Sequence, residues 1–193
     1  MIKEGCLEGV DEVYGLHNFP NFDEGDIRVC DGGFFAGVAV VKIKVIGEGG
    51  HGSAPHKIID VLAAANQVYQ ALHTIKSRNI DNRENCVFTI CQINAGTTYN
   101  VFPNECIMEG TVRYYKTEVM DVFAARIESI VENIAKAMMC KCEIKVERLY
   151  PPTINHPREV AHIKRLTEKW FGPEHLSEVD VPSMASEDFS FFI

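Results

Sequence analysis

Val38-Ala-Val-Val-Lys-Ile-Lys-Val-Ile46 alternates: Val41, Ile43 and Val45 oppose Lys42 and Lys44, the period-two pattern of a half-buried strand. The residues that follow supply the rest of one folding unit. Gly47 to Pro55 is a glycine-rich turn. Ile58 to Arg78 then places Ile58, Leu62, Ala65, Tyr69, Leu72 and Ile75 on one helical face. Cys86 to Ile93 is rich in β-formers and stops at Asn94-Ala-Gly96, and Glu105 to Tyr115 is a second strand of the same kind. Glu118 to Met139 keeps Val119, Val122, Phe123, Ile127, Ile130, Ile134 and Met138 in helical register. Last, Cys142, Ile144 and Val146 alternate with Glu143, Lys145 and Glu147, a closing strand. The order β-α-β-β-α-β predicts an α+β, ferredoxin-like unit over residues 38–149, with two helices covering one face of a four-stranded antiparallel sheet. About 110 residues is an ordinary size for such a unit.

The flanks differ. Residues 1–37 hold Gly5, Gly9, Gly15, Gly25, Gly32 and Gly33 with little periodicity. Residues 150–193 open with Pro151-Pro152 and contain one predicted helix, Pro157 to Trp170, striped by Val160, Ile163, Leu166 and Trp170. Neither flank has the makings of a complete domain. The predicted organisation is therefore a central domain, 38–149, between two partial pieces, 1–37 and 150–193.

Composition narrows the function. Of 193 residues, 46% are hydrophobic and 24% charged, as in ordinary globular proteins. The formal charge is −8 and the 19 basic residues are scattered, which excludes a phosphate-neutralising nucleic-acid surface. No apolar run approaches the roughly 18 residues of a membrane span. The start, Met1-Ile-Lys-Glu-Gly-Cys6, lacks a basic region followed by an apolar core, so no signal peptide is visible. The cysteine count is odd, seven, and Cys140-Lys-Cys142 is too tight for a zinc-knuckle pair. Reduced, buried thiols in a cytoplasmic protein are the expectation.

Five segments carry chemistry. Gly47-Glu-Gly49-Gly50-His51-Gly52 has the letters of a dinucleotide-binding turn, but Ser53-Ala-Pro55 separates it from the helix. The residues about 20 positions on are Leu72 and His73, not an acid. Glycines on both sides of His51 let the backbone approach another surface and leave the imidazole reachable; the alternative is a turn with an incidental histidine. His17, in Gly15-Leu-His17-Asn18-Phe-Pro20, is either structural or a metal ligand whose tautomer a neighbour fixes. Asn100, in Asn100-Val-Phe-Pro103, and Arg113, in Gly110-Thr-Val-Arg113, are either a turn amide and an exposed strand cation or a pair that holds a carboxylate. Ser186-Glu187-Asp188-Phe189 offers two adjacent acids, of which at most one faces a shared site.

In order, Tyr14-Gly-Leu-His17-Asn18-x-Pro20, Gly47-x-Gly-Gly-His51-Gly-x-Ala-Pro-His56, Gly96-Thr-x-x-Asn100-Val-x-Pro103, Gly110-Thr-Val-Arg113, Tyr150-Pro-Pro152 with Asn155, and Ser186-Glu-Asp-Phe189 run the whole length of the chain. Together they resemble the two-metal amidohydrolases and peptidases that include aminoacylase, hippurate hydrolase and the auxin-conjugate hydrolases. The resemblance implies a ferredoxin-like lid, often pairing subunits into a homodimer, inserted into an α/β metallopeptidase catalytic domain. It implies that His17 is a metal ligand and that His51 reaches an active site, commonly the partner subunit's, to steady a tetrahedral oxyanion. Asn100 and Arg113 would help hold the terminal carboxylate of a small N-acyl amino acid. A divalent pair, zinc or manganese, would serve the full-length parent.

The family's Cys-Gly-His-Asp segment and Glu-Glu pair have no counterpart here, and neither Cys-Gly-His nor Glu-Glu occurs anywhere in the sequence. The resemblance therefore implies a fragment that lacks the N-terminal catalytic part and the extreme C-terminus, does not retain the metal pair and is inactive alone. Two other classes stay open. One is a non-catalytic dimerisation module built on the lid, and the other is a stand-alone ferredoxin-like binder of small molecules.

Overall fold

A computed structural model describes residues 1–179 and 181–193. It divides the chain into two compact units, Val38–Leu149 and a second made of Met1–Gly37 with Tyr150–Ile193.

The central unit is built from β1 (Gly37–Ile46), α1 (Val61–Leu72), α2 (Thr74–Asn79), β2 (Cys86–Ala95), β3 (Glu105–Tyr114), α3 (Thr117–Ala137) and β4 (Lys141–Tyr150). Its four-stranded sheet has the order β2-β3-β1-β4, in which the crossover through α1 leaves room for β3 between β1 and β2. That order is the ferredoxin-like one expected from the pattern of elements. β2 and β3 form an antiparallel hairpin running from Cys86↔Tyr114 to Ala95↔Cys106, with a bulge between Ile90 and Gln92.

Alternation decides which face is dry. Ala39, Val41, Ile43 and Val45 of β1 and Cys106, Met108, Val112 and Tyr114 of β3 are buried together with Val68 and Leu72 of α1 and Phe123, Ile127 and Val131 of α3. The opposite face is wet and laced across strands by Lys42–Glu109 at 3.0 Å and Lys44–Glu105 at 2.7 Å. Burial pushes the Cys86, Cys106 and Cys140 thiols up from their ordinary value, so the thiolate is disfavoured there.

The first helix departs from the expected Ile58–Arg78. Ile59 and Glu48 exchange backbone hydrogen bonds, N–H to O, at 2.9 and 3.2 Å, which keeps Ile58 and Ile59 extended. The helix begins only after Asp60, whose carboxylate accepts from the amides of Leu62 and Ala63 and so satisfies two of the free donors at the helix start. The dry stripe is rotated accordingly: Val61, Ala64, Ala65, Val68 and Leu72 are buried, whereas Leu62 is 43% exposed. A turn at His73 then separates α1 from α2.

In the other unit Ile27–Arg28 pairs in parallel with Leu176–Ser177, and Gly32–Phe35 pairs antiparallel with Thr153–Asn155. The predicted helix is present with the same bounds, Pro157–Trp170, but its stripe is only half covered: Val160 is buried and Trp170 is 73% exposed. Among the described residues, no helix is long and apolar enough to cross a membrane.

Candidate functional site

His51 stands on a short ribbon. Gly50–His51 pairs antiparallel with Val101–Phe102, so the turn after β1 is tied to the loop between β2 and β3. The Gly52 amide donates to the Asn100 carbonyl at 2.8 Å, and the Gly49 amide donates to the Asn104 side chain at 2.8 Å. Here the glycine requirement is steric. A Cβ on Gly49 would lie 2.2 Å from the Phe102 carbonyl oxygen, far inside van der Waals contact. Gly49→Ala is expected to open the ribbon, and the Gly52 amide should lose at least about tenfold of its hydrogen-exchange protection, ~1.4 kcal/mol.

The ribbon presents its side chains to solvent. His51, Ser53 and Asn100 are all exposed, and Tyr99 beside them is fully so. The His51 Nδ1 lies 2.7 Å from the Ser53 hydroxyl and 3.1 Å from the Ser53 amide nitrogen. Thr98 donates its hydroxyl proton to the Asn100 side-chain oxygen at 3.3 Å. His51 and Asn100 are thus brought together on one edge of the central unit.

Arg113 is not part of that group. It sits near the end of β3, opposite Val87, whereas Asn100 precedes the start of β3. The eight steps from Glu105 to Arg113 span roughly 26 Å of strand.

His17 lies in the other unit, packed against Phe19 and Phe35 at ring distances of 4.7 and 5.5 Å. Its Nδ1 is 3.0 Å from the Asn18 carbonyl oxygen, an acceptor only, so that nitrogen carries a proton. Nε2 faces the Glu187 carboxylate at 3.5 Å. A backbone-oriented imidazole beside a carboxylate is donor chemistry suited to a divalent cation. Both side chains border a cleft of about 1200 Å³ with Phe19, Phe35 and Phe189. Arg28 on the same cleft is held by Asp26 at 2.6 Å and lies 3.5 Å over the Phe22 ring, so its charge is already used.

Two donors do not make a metal pair. Among the described residues there is no group of three or more His, Cys, Asp or Glu side chains that could hold an ion. A catalytic zinc usually has three protein ligands, so these side chains by themselves do not fit the metal centre that the sequence resemblance implies for a full-length parent. Glu187 is the residue that sequence reasoning left without a role. The only signal was the acidic pair at 187–188, and Asp188 opens a short 3₁₀ turn while Glu187 turns to His17.

Residues 36–139 match the peptidase dimerisation domain of the M20 family. Over its whole length the chain is 33% identical to N-acetyl-L-cysteine deacetylase from Bacillus subtilis and 34% identical to hippurate hydrolase from Campylobacter jejuni. It covers 46% and 51% of those proteins, so it spans about half the length of the curated relatives it matches. Two solved structures match over 99% of the chain. A provisionally assigned aminohydrolase from methicillin-resistant Staphylococcus aureus does so with a TM-score of 0.88 at 28% identity, over 49% of its own chain. The Bacillus subtilis YXEP protein, described as a dinuclear metal binding peptidase from the M20 family, does so with 0.78 at 26%, over 47% of its chain.

Proposed function

The chain belongs to the M20 peptidase family, and from that premise we propose that it forms part of a longer amidohydrolase that cleaves small N-acyl amino acids, hippurate-like or auxin-conjugate-like amides among them. The observation that carries the reading is the exposed imidazole of His51 on a ribbon whose backbone is fixed from both sides. An N–H there can donate to the oxygen that gains charge when an amide carbonyl becomes tetrahedral. In this reading residues 38–149 are the lid and dimerisation domain, and residues 1–37 and 150–193 are pieces of the catalytic domain.

Asn100, beside His51, and Arg113, at the far end of β3, are proposed to hold carboxylates. One amino-acid-sized ligand cannot touch both within a single chain across roughly 26 Å of strand. The two residues therefore serve different pockets, or one pocket to which two chains contribute, and the second arrangement requires a homodimer through this domain. His17 is proposed as one metal ligand, with Glu187 beside it. A zinc or manganese pair belongs to the longer protein and supplies an activated water when bound. No nucleic acid or membrane partner is proposed, and seven free cysteines support a reducing, cytoplasmic setting.

The test is turnover of hippurate and other N-acyl amino acids by the longer protein, loaded with zinc or manganese and again after chelation. Release of the free amino acid that disappears on chelation and returns with the metal is expected. A protein that forms a stable dimer yet releases none from any N-acyl amino acid would instead be a dimerisation module without catalysis.

A further inference from the structure

Which nitrogen of His51 carries the proton decides whether the residue can do what is proposed for it. An oxyanion accepts, so the nitrogen that faces it must be an N–H. The ring's own neighbours settle the matter. The Ser53 backbone N–H, 3.1 Å from Nδ1, has no lone pair and acts only as a donor, so Nδ1 meets it with its lone pair. The Ser53 hydroxyl lies 2.7 Å from the same nitrogen and, with no proton on Nδ1, is a second donor to it. A neutral imidazole has one ring proton, which is left to Nε2.

We propose that Ser53 is the positioning residue of His51, holding the imidazole as its Nε2–H tautomer and turning that N–H away from the ribbon as the donor to the developing oxyanion. Ser53 touches neither substrate nor reacting atoms; it acts through the ring. The glycines around it suit this role. Gly50 and Gly52 are tied into the ribbon by Phe102 and Asn100, so the chain from 50 to 53 returns the Ser53 amide to the side chain two residues earlier. A proline at 53 would remove the donor, and an alanine would remove only the hydroxyl.

The inference rests on the oxyanion role given to His51, but its test needs no turnover. The chain is prepared with ¹⁵N-labelled histidine, and the His51 ring resonances are assigned by their loss in His51→Gln. At neutral pH the expected pattern is a pyridine-like Nδ1 and a pyrrole-like Nε2. Ser53→Ala should shift the tautomer ratio about fivefold toward Nδ1–H, the worth of one neutral hydrogen bond, and Ser53→Thr should restore it. A pyrrole-like Nδ1 in the unaltered chain overturns the proposal, and so does a Ser53→Ala chain with an unchanged ratio. The two readings fail separately: a His51→Ala enzyme with undiminished turnover removes the oxyanion role, while the ring resonances report on Ser53 alone.

Discussion

His51→Ala is expected to lower kcat of the longer enzyme on N-acyl amino acids by about 10²–10³-fold, the usual loss when one preorganised oxyanion donor is removed, or ~2.7–4 kcal/mol. KM should change far less, because the bond is made to charge that exists only in the transition state. The residue is exposed and packs nothing in the core, so the fold should be indifferent to the change. Steady-state kinetics with a thermal melt on the same samples checks both halves. A loss confined to KM would make His51 a ground-state binding group instead.

The largest expected effect on stability lies at Phe123. Its ring is wholly buried beneath the sheet, 5.7 Å from the ring of Phe88, and α3 has no other aromatic side chain. Phe123→Ala should cost about 3–5 kcal/mol, since the transfer energy is lost and a cavity remains between α3 and the sheet. Against a total of about 5–15 kcal/mol that is a severe loss. Urea unfolding should show a lower midpoint with little change in slope. Leu62→Ala is the matched control: the sequence pattern puts Leu62 on the buried face, the structure leaves it 43% exposed, and a change within about 0.5 kcal/mol is expected. Equal losses at the two positions would mean that α1 is rotated from the orientation described.

Leu62 also shows where the sequence is readable and where it is not. The strands were legible to within three residues because lysines alternate with valine and isoleucine in β1, and Glu143, Lys145 and Glu147 with cysteine, isoleucine and valine in β4, leaving one choice of inward face. In α1 apolar residues lie on more than one side, so a helical period alone permits several stripes. The actual one is set by where the helix starts, and that depends on the Asp60 cap and on Ile59 pairing with Glu48. Periodicity reports neither.

The candidate site was legible as single residues rather than as groups. His17, His51, Asn100 and Arg113 stood out by their neighbours in sequence. That His51 and Asn100 share a ribbon while Arg113 sits at the far end of β3 follows from hairpin register. The approach of Glu187 to His17 spans 170 positions and leaves no periodic trace. Ser53 was visible all along, two residues past His51, but its use of an amide and a hydroxyl on one ring nitrogen is a matter of turn geometry.

Binding of a phosphinate analogue of an N-acyl amino acid, which carries the tetrahedral oxyanion permanently, measures the central claim without any chemical step. In the longer enzyme, His51→Ala should weaken that binding by about the same 10²–10³-fold as it lowers kcat/KM, and should leave affinity for the free amino acid product nearly unchanged. Equal affinity of the unaltered and His51→Ala enzymes for the phosphinate would contradict it.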